Sequence, residues 1–497
     1  MFVNNRLFHT AGATAPDEPF HFNRYKEGSM PKNTRREFLR LAGAVSLAAT
    51  NARLLRGSAP PQVQAWVTSK DRRLEQVKLP EWRTFAGENA TGIVIDAGKR
   101  YQAILGFGAA FTDASCYLLS QIEAEKRQAL FADLFGPDGL RLSVGRTCMG
   151  ASDYSRFAYS YDDGIDPDPE LLRFTIEHDR EYILPTLRAA QKMNPDMFLF
   201  ACPWSPPGWM KSNGSLLGGS MRKKYLPSYA QYFVKFLEGY SKEGVTIRAV
   251  TVQNEVDTDQ DGRMPAALWG QEYEIEFVKK HLGPALEQAS LDTKIWILDH
   301  NYSLWGRALD ELSDPDFSRY VDGVAWHAYS GTPDAMTRVH EAFPTKNTYW
   351  TEGGPSYRST EYATEWVKWA HTFAGILRNW AQCIVGWNLV LDEEGRPNIG
   401  PAFCGGVVTL NSQTHEVTRS GQYWAFAHYS KFVQRGARVI NSVSKRNDVD
   451  HVAFENPDGT HALVITNQGA EQKVLCQSGK QALELTLEPE SITSLRW

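Results

Sequence analysis

Two glutamates close apolar runs in this chain: Glu255 ends Val250-Thr251-Val252-Gln253-Asn254-Glu255, and Glu352 ends Asn347-Thr348-Tyr349-Trp350-Thr351-Glu352. A pair of carboxyl groups can divide one substitution between them. The protonated member gives its proton to a leaving oxygen, and the ionised member attacks the carbon that the oxygen leaves. At a glycosidic bond with retained configuration the two groups stand about 5 to 5.5 Å apart. Burial and neighbouring charge must push their pKa values apart so that each takes one role. Asn254 stands directly before Glu255. With 58 acidic residues in the chain, a single glutamate after an apolar run means little. Two of them, at the fourth and seventh of eight such runs, point to catalysis.

Those runs are the elements that must position the pair. Short β-branched or apolar stretches recur at 102–105, 141–144, 197–201, 247–252, 294–298, 323–326, 347–350 and 384–389. Intervals such as 227–239 and 271–282 carry aromatic and aliphatic residues at helical spacing. Strand and helix alternating eight times predict a (β/α)8 TIM barrel, whose active site gathers at the C-terminal strand ends. Here those ends read Gly106-Phe107-Gly108, Arg146, Cys202-Pro203-Trp204, Asn254-Glu255, Asp299-His300-Asn301, His327-Ala328-Tyr329, Glu352 and Trp387-Asn388. Beyond 429 the runs shorten and alternate around the turn Asn456-Pro457-Asp458-Gly459, which predicts an accessory antiparallel β-sandwich. The expected organisation is an N-terminal address over 1–59, a segment at 60–96 lending strands to the sandwich, a catalytic barrel over 97–428 and the C-terminal sandwich over 429–497.

The bulk properties narrow the partners. A net charge of -5 argues against nucleic acid, because no basic excess meets the phosphates. No internal apolar run reaches the roughly 18 residues of a membrane span. The six cysteines form no CxxC pair and no metal-site spacing, so neither a metal nor any other cofactor is expected. Tryptophan, tyrosine and phenylalanine make up 12% of the chain, which suits a carbohydrate or glycoconjugate whose apolar sugar face rests on a ring. Near the start, Thr34-Arg35-Arg36-Glu37-Phe38-Leu39-Arg40 precedes an Ala-rich apolar stretch at 41–49. That resembles a twin-arginine export signal and predicts a periplasmic or secreted protein, with Met30 as a second candidate start.

Further segments resemble glycoside hydrolase family 30, the family of the lysosomal glucosylceramidase. They are Gly106-Phe107-Gly108-Ala109-Ala110-Phe111-Thr112-Asp113, Ala151-Ser152-Asp153-Tyr154-Ser155 and the block Pro203-Trp204-Ser205-Pro206-Pro207-Gly208-Trp209-Met210-Lys211. Tyr232-Phe233-Val234-Lys235-Phe236, the segment ending in Glu255, Gly386-Trp387-Asn388-Leu389 and His428-Tyr429-Ser430-Lys431-Phe432 complete the set. The resemblance implies Glu255 as acid/base and Glu352 as nucleophile of a retaining β-glycosidase. It implies Asn254 on the sugar 2-hydroxyl, Asp153 and Trp204 on the outer hydroxyls, Trp387 beneath the ring and Asn398 on a neighbouring loop. Arg146, His327 and Tyr329 match the shell that orients the carboxylates.

The sequence departs from many relatives after Glu255, where Val256 replaces a proline and Asp257-Thr258-Asp259-Gln260-Asp261-Gly262 follows. Gly353-Gly354-Pro355 after Glu352 differs as well. The resemblance therefore carries the core chemistry and leaves a ceramide preference aside. The expected activity is hydrolysis of β-glucosides, against an endo-β-1,6-glucanase or β-xylosidase of the same family and a non-catalytic carbohydrate-binding protein.

Overall fold

The computed structural model describes residues 62–87 and 91–497; the twin-arginine stretch lies outside them. Eight parallel strands close a barrel: Gly106–Phe111, Val144–Cys148, Phe198–Cys202, Ile247–Thr251, Lys294–Asn301, Val321–His327, Asn347–Glu352 and Cys383–Gly386. Each pairs with its sequence neighbour, and the eighth pairs with the first through Val385 and Gly108. Gly108 is required there, because a Cβ would fall 1.6 Å from the Val144 carbonyl oxygen. Inside the barrel Phe200, Trp296, Tyr349 and Val385 form a buried plug, with Trp296 and Tyr349 stacked at 3.8 Å. That plug leaves the mouth at the strands' C-terminal ends for other work.

Two expected strands are displaced. Residues 102 and 103 end an eleven-residue sandwich strand, Ile93–Ala103, and the first barrel strand begins at Gly106. The barrel thus starts after residue 103 and not at 97. Gly-Phe-Gly-Ala-Ala lacks the β-branched residues that mark strands, since what this position rewards is small size at a crowded barrel wall. The second strand starts at Val144 because Arg141 sits in a left-handed turn, φ 55°.

The sandwich is one ten-strand ribbon folded over a single core. In spatial order its strands are Glu75–Val77, Gln64–Thr68, Ser491–Arg496, His461–Asn467, Val449–Glu455, Arg438–Val443, Ile93–Ala103, Gln472–Ser478, Gln481–Leu487 and Arg83–Thr84. All neighbours are antiparallel except Ile93–Ala103 with Gln472–Ser478. The segment ahead of the barrel supplies four of the ten strands. Ala65, Ile95, Ile465, Leu485 and Leu495 are buried together from both halves. Barrel and sandwich meet at helix Gly421–Ser430, where His428 bonds Thr68 Oγ1 and Ser494 Oγ, each at 2.8 Å. Burial holds that histidine down at about 3, hence neutral. Among the described residues no helix is long and apolar enough to cross a membrane.

Candidate active site

The mouth is organised around an irregularity in the fifth barrel strand. Leu298 pairs with Ala325 but the next residue pairing with Trp326 is His300, so one residue is extra. Leu298 and Asp299 take left-handed φ values of 69° and 43°. Such strain in non-glycine residues persists only where the surroundings over-determine it. The bulge turns Asp299 into the barrel. Its Oδ2 accepts from Arg146 Nη2 at 2.9 Å, Thr251 Oγ1 at 2.8 Å and Cys202 Sγ at 2.9 Å. Its Oδ1 accepts from Thr351 Oγ1 at 2.6 Å and lies 3.0 Å from His327 Nε2. Burial works to raise this carboxyl, but Arg146 and His327 overcome it and hold it well below the usual carboxylate range.

Arg146, fully buried, is the other centre. Its Nη1 donates to Glu352 Oε2 at 2.5 Å, and its Nη2 also donates to Asn254 Oδ1 at 2.8 Å. Its guanidinium lies 4.7 Å and 5.3 Å from the rings of Trp204 and Trp387, which stack on each other at 5.0 Å. Tyr329 donates its hydroxyl to Glu352 Oε1 at 3.1 Å. Both oxygens of Glu352 are therefore held, one by Arg146 and one by Tyr329. Replacing Asp299 by Asn leaves Arg146 short of one buried counter-charge, and the loss of one partner of a buried pair costs about 3 to 5 kcal/mol. A fall of that size in unfolding free energy from denaturant titration is the expected result; an unchanged midpoint would contradict the arrangement.

Glu255 stands on a left-handed backbone, φ 52°, and its N–H donates to the Asp299 carbonyl at 3.0 Å. Gln260 Nε2 donates to its Oε2 at 2.7 Å. His327 Nδ1 and His300 Nδ1 approach its Oε1 at 3.5 and 3.7 Å. His327 Nε2 lies 3.8 Å from Glu352 Oε2, so one imidazole reaches both glutamates. Burial opposes the protonated form of His327, yet Glu352, Asp299 and Glu255 together push it up to about 9. Burial likewise opposes the ionised form of Glu255, and the facing imidazoles outweigh it, so this carboxyl is lowered, opposite to the upward shift expected of a proton donor. Burial takes His300 down to about 4 despite Glu255.

Glu255, Glu352, Asn254, Tyr329, Trp204, Trp387 and Asp153 line one cavity of about 440 Å³. Arg146 and His327 stand behind it. Asp153 is buried with Oδ1 lacking a partner, and burial together with the two glutamates raises it well above the carboxylate range. A neutral Asp153 offers both a donor and an acceptor to a ligand hydroxyl. Asn398 is not brought to this cavity. Its Nδ2 donates to the Ala402 carbonyl at 2.9 Å, and its Oδ1 accepts from Gly400 N at 2.6 Å. It braces the loop whose Pro401 and Ala402 form part of the wall. One bond at each end of the amide ties Asn398 to its own loop.

Sequence reasoning gave no role to Asp299, His300, Gln260 or Cys202. Asp299, His300 and Cys202 all stand at strand ends, but only the bulge aims the first two inward. Gln260 lay in the loop marked as divergent, where a left-handed φ of 53° turns the chain back toward Glu255. Glu255, His300 and His327 each offer one ligand atom within 4.8 Å of the others, a convergence unexpected from the sequence. A divalent ion could use His327 only by displacing its proton, which the surrounding carboxylates retain up to about pH 9. The trio is better suited to sharing protons than to holding a metal.

Residues 104–433 match the model of the glycosyl hydrolase family 30 TIM-barrel domain, and 436–495 that of the glycosyl hydrolase family 30 beta sandwich domain. An endo-1,6-beta-D-glucanase of Neurospora crassa is 33% identical over 82% of this chain and 88% of that protein. The lysosomal acid glucosylceramidase of Mus musculus is 29% identical over 80% of this chain and 82% of its own length. A solved endo-beta1,6-glucanase superposes with a TM-score of 0.79 at 30% identity, covering 88% of this chain and 99% of that one.

Proposed function

Because the chain belongs to glycosyl hydrolase family 30, we propose that it hydrolyses β-linked glucosides with retention, through a covalent glycosyl-enzyme on Glu352. The observation that carries this reading is the pair of glutamates in one cavity with His327 within 4 Å of both. In the first step a Glu352 oxygen attacks the anomeric carbon while Glu255 passes a proton to the departing glycosidic oxygen. In the second, Glu255 takes a proton from water, whose oxygen displaces Glu352 from the same carbon. Asn254, anchored by Arg146, binds the 2-hydroxyl, Asp153 and Trp204 take the outer hydroxyls, and Trp387 supports the ring. The wall made by Trp204, Asp153 and the 398–402 loop supports grip on a terminal sugar. The twin-arginine stretch supports export of the folded enzyme to the periplasm or medium.

The second reading is an endo-β-1,6-glucanase, favoured by the likeness to structures and sequences with that name. Initial rates on aryl β-glucoside, β-xyloside and β-galactoside, on a β-1,6-glucan and on detergent-dispersed glucosylceramide separate the two. Proton NMR of the first-formed sugar tests the stereochemistry. Fast release from the aryl β-glucoside, with the β-anomer appearing first, is expected. Activity on the glucan alone would favour the endo reading, and an α-anomer first would overturn double displacement.

The acid/base role also fixes a pH response. His327, a cation up to about pH 9, lowers the Glu255 carboxyl. Removing that cation raises the Glu255 pKa and keeps its proton on to higher pH. His327→Gln is therefore expected to move the alkaline limb of kcat/KM upward in pH while lowering its maximum. A limb moving downward would show that Glu255 is not the group titrating there.

A further inference from the structure

We propose that a buried ionic triad outside the cavity, Arg307 with Glu274 and Glu311, is a positioning device that fixes Glu255 and Asp299 together. The inference rests on the reading of Glu255 as acid/base. Glu274 lies on helix Gln271–Phe277, and Arg307 and Glu311 lie on helix Trp305–Leu312. Both carboxylates are fully buried and Arg307 nearly so. Arg307 Nη2 donates to Glu274 Oε2 and Nε to Glu311 Oε1, each at 2.7 Å. Burial and the adjacent Glu274 raise Glu311 well above the carboxylate range.

Two lines of hydrogen bonds leave it for the mouth of the barrel. Glu274 Oε1 accepts from Leu298 N at 3.3 Å, the N–H of the first left-handed residue of the fifth-strand bulge. The next residue is Asp299, whose carbonyl holds the Glu255 N–H. On the other side Arg307 Nη1 donates to the Trp269 carbonyl at 3.0 Å. Trp269 in turn donates its N–H to the carbonyl of Val256, the neighbour of Glu255, at 2.9 Å. Arg307 and Glu274 thus grip the backbone on both sides of Glu255, and they do so at two segments held in strained conformations. A purely structural ion pair would need no such convergence. None of the three touches the cavity.

Arg307→Met and Glu274→Gln are the direct tests, with Arg307→Lys as the conservative variant that keeps the charge but not the three-way bridge. Rates on a dinitrophenyl glycoside and on a glycoside of a poor leaving group are compared, after counting active sites with a 2-deoxy-2-fluoro glycoside. Misplacement of Glu255 is expected to cut kcat on the poor leaving group by about 10- to 100-fold more than on the activated one, with KM little changed. In a Glu255→Ala background the extra loss on the poor leaving group should vanish, because there is no acid left to misplace. Equal losses on both substrates, or the same extra loss in that background, would overturn the positioning role. The reading of Glu255 fails separately, if Glu255→Ala alone shows no leaving-group dependence.

Discussion

Glu352→Gln should leave a folded protein whose turnover has fallen by at least about 10,000-fold, the scale on which enzymes lose activity when a covalent nucleophile is removed. The amide keeps an oxygen to accept from Arg146 and an NH2 for the Tyr329 hydroxyl, so the shape of the site survives. What it loses is the ability to form an acylal-type ester with the anomeric carbon. Arg146 still has Asp299 as a buried counter-charge, which argues against collapse. Steady-state rates on an aryl β-glucoside and a thermal melt measure the two halves of the statement. A variant retaining a hundredth of the activity would remove Glu352 from the nucleophile role.

The second large effect falls on Glu255, and its signature is selectivity. Glu255→Ala removes proton donation to the leaving oxygen, worth about 100- to 10,000-fold where the leaving group is basic. A dinitrophenolate needs no such help, so glycosyl-enzyme formation from its glycoside should survive. Hydrolysis of that intermediate slows, because water loses its base. Azide, which needs none, should enter the vacated volume, restore turnover and yield a β-glycosyl azide. His300 and His327 would then face each other across the gap with no carboxylate between them. Equal losses on both leaving groups, with no response to azide, would reject the assignment.

How much of this could be read from the residues depends on what fixed each feature. Strands made by β-branched packing, such as Ile247–Thr251 and Asn347–Glu352, advertised themselves, and with them the two glutamates at their ends. The first barrel strand did not, since its Gly and Ala residues answer to the closeness of Val144 and not to strand propensity. The Leu298–Asp299 bulge was illegible for a related reason. Left-handed leucine and aspartate are imposed by tertiary contacts, and no local signal announces them. Asp299, the most heavily bonded carboxylate of the site, therefore stayed anonymous beside Asn254 and Asp153. Asn398 sits on the loop expected of it, and the bonds of its side chain to that loop are tertiary detail the residues do not announce.

The ten-strand ribbon carries a consequence for biosynthesis. Strand Gln64–Thr68 has Ser491–Arg496 as one of its two partners, which joins the two extremes of the described chain. A ribosome that has released every cavity residue still withholds that strand, so the sandwich closes later in synthesis than the barrel. A premature stop at 491 would leave Gln64–Thr68 and His461–Asn467 each with a bare edge, open to strands of other molecules. Loss of the seven residues 491–497, which lie far from the chemistry, is thus expected to send the product into aggregates and not to spare a trimmed, working enzyme.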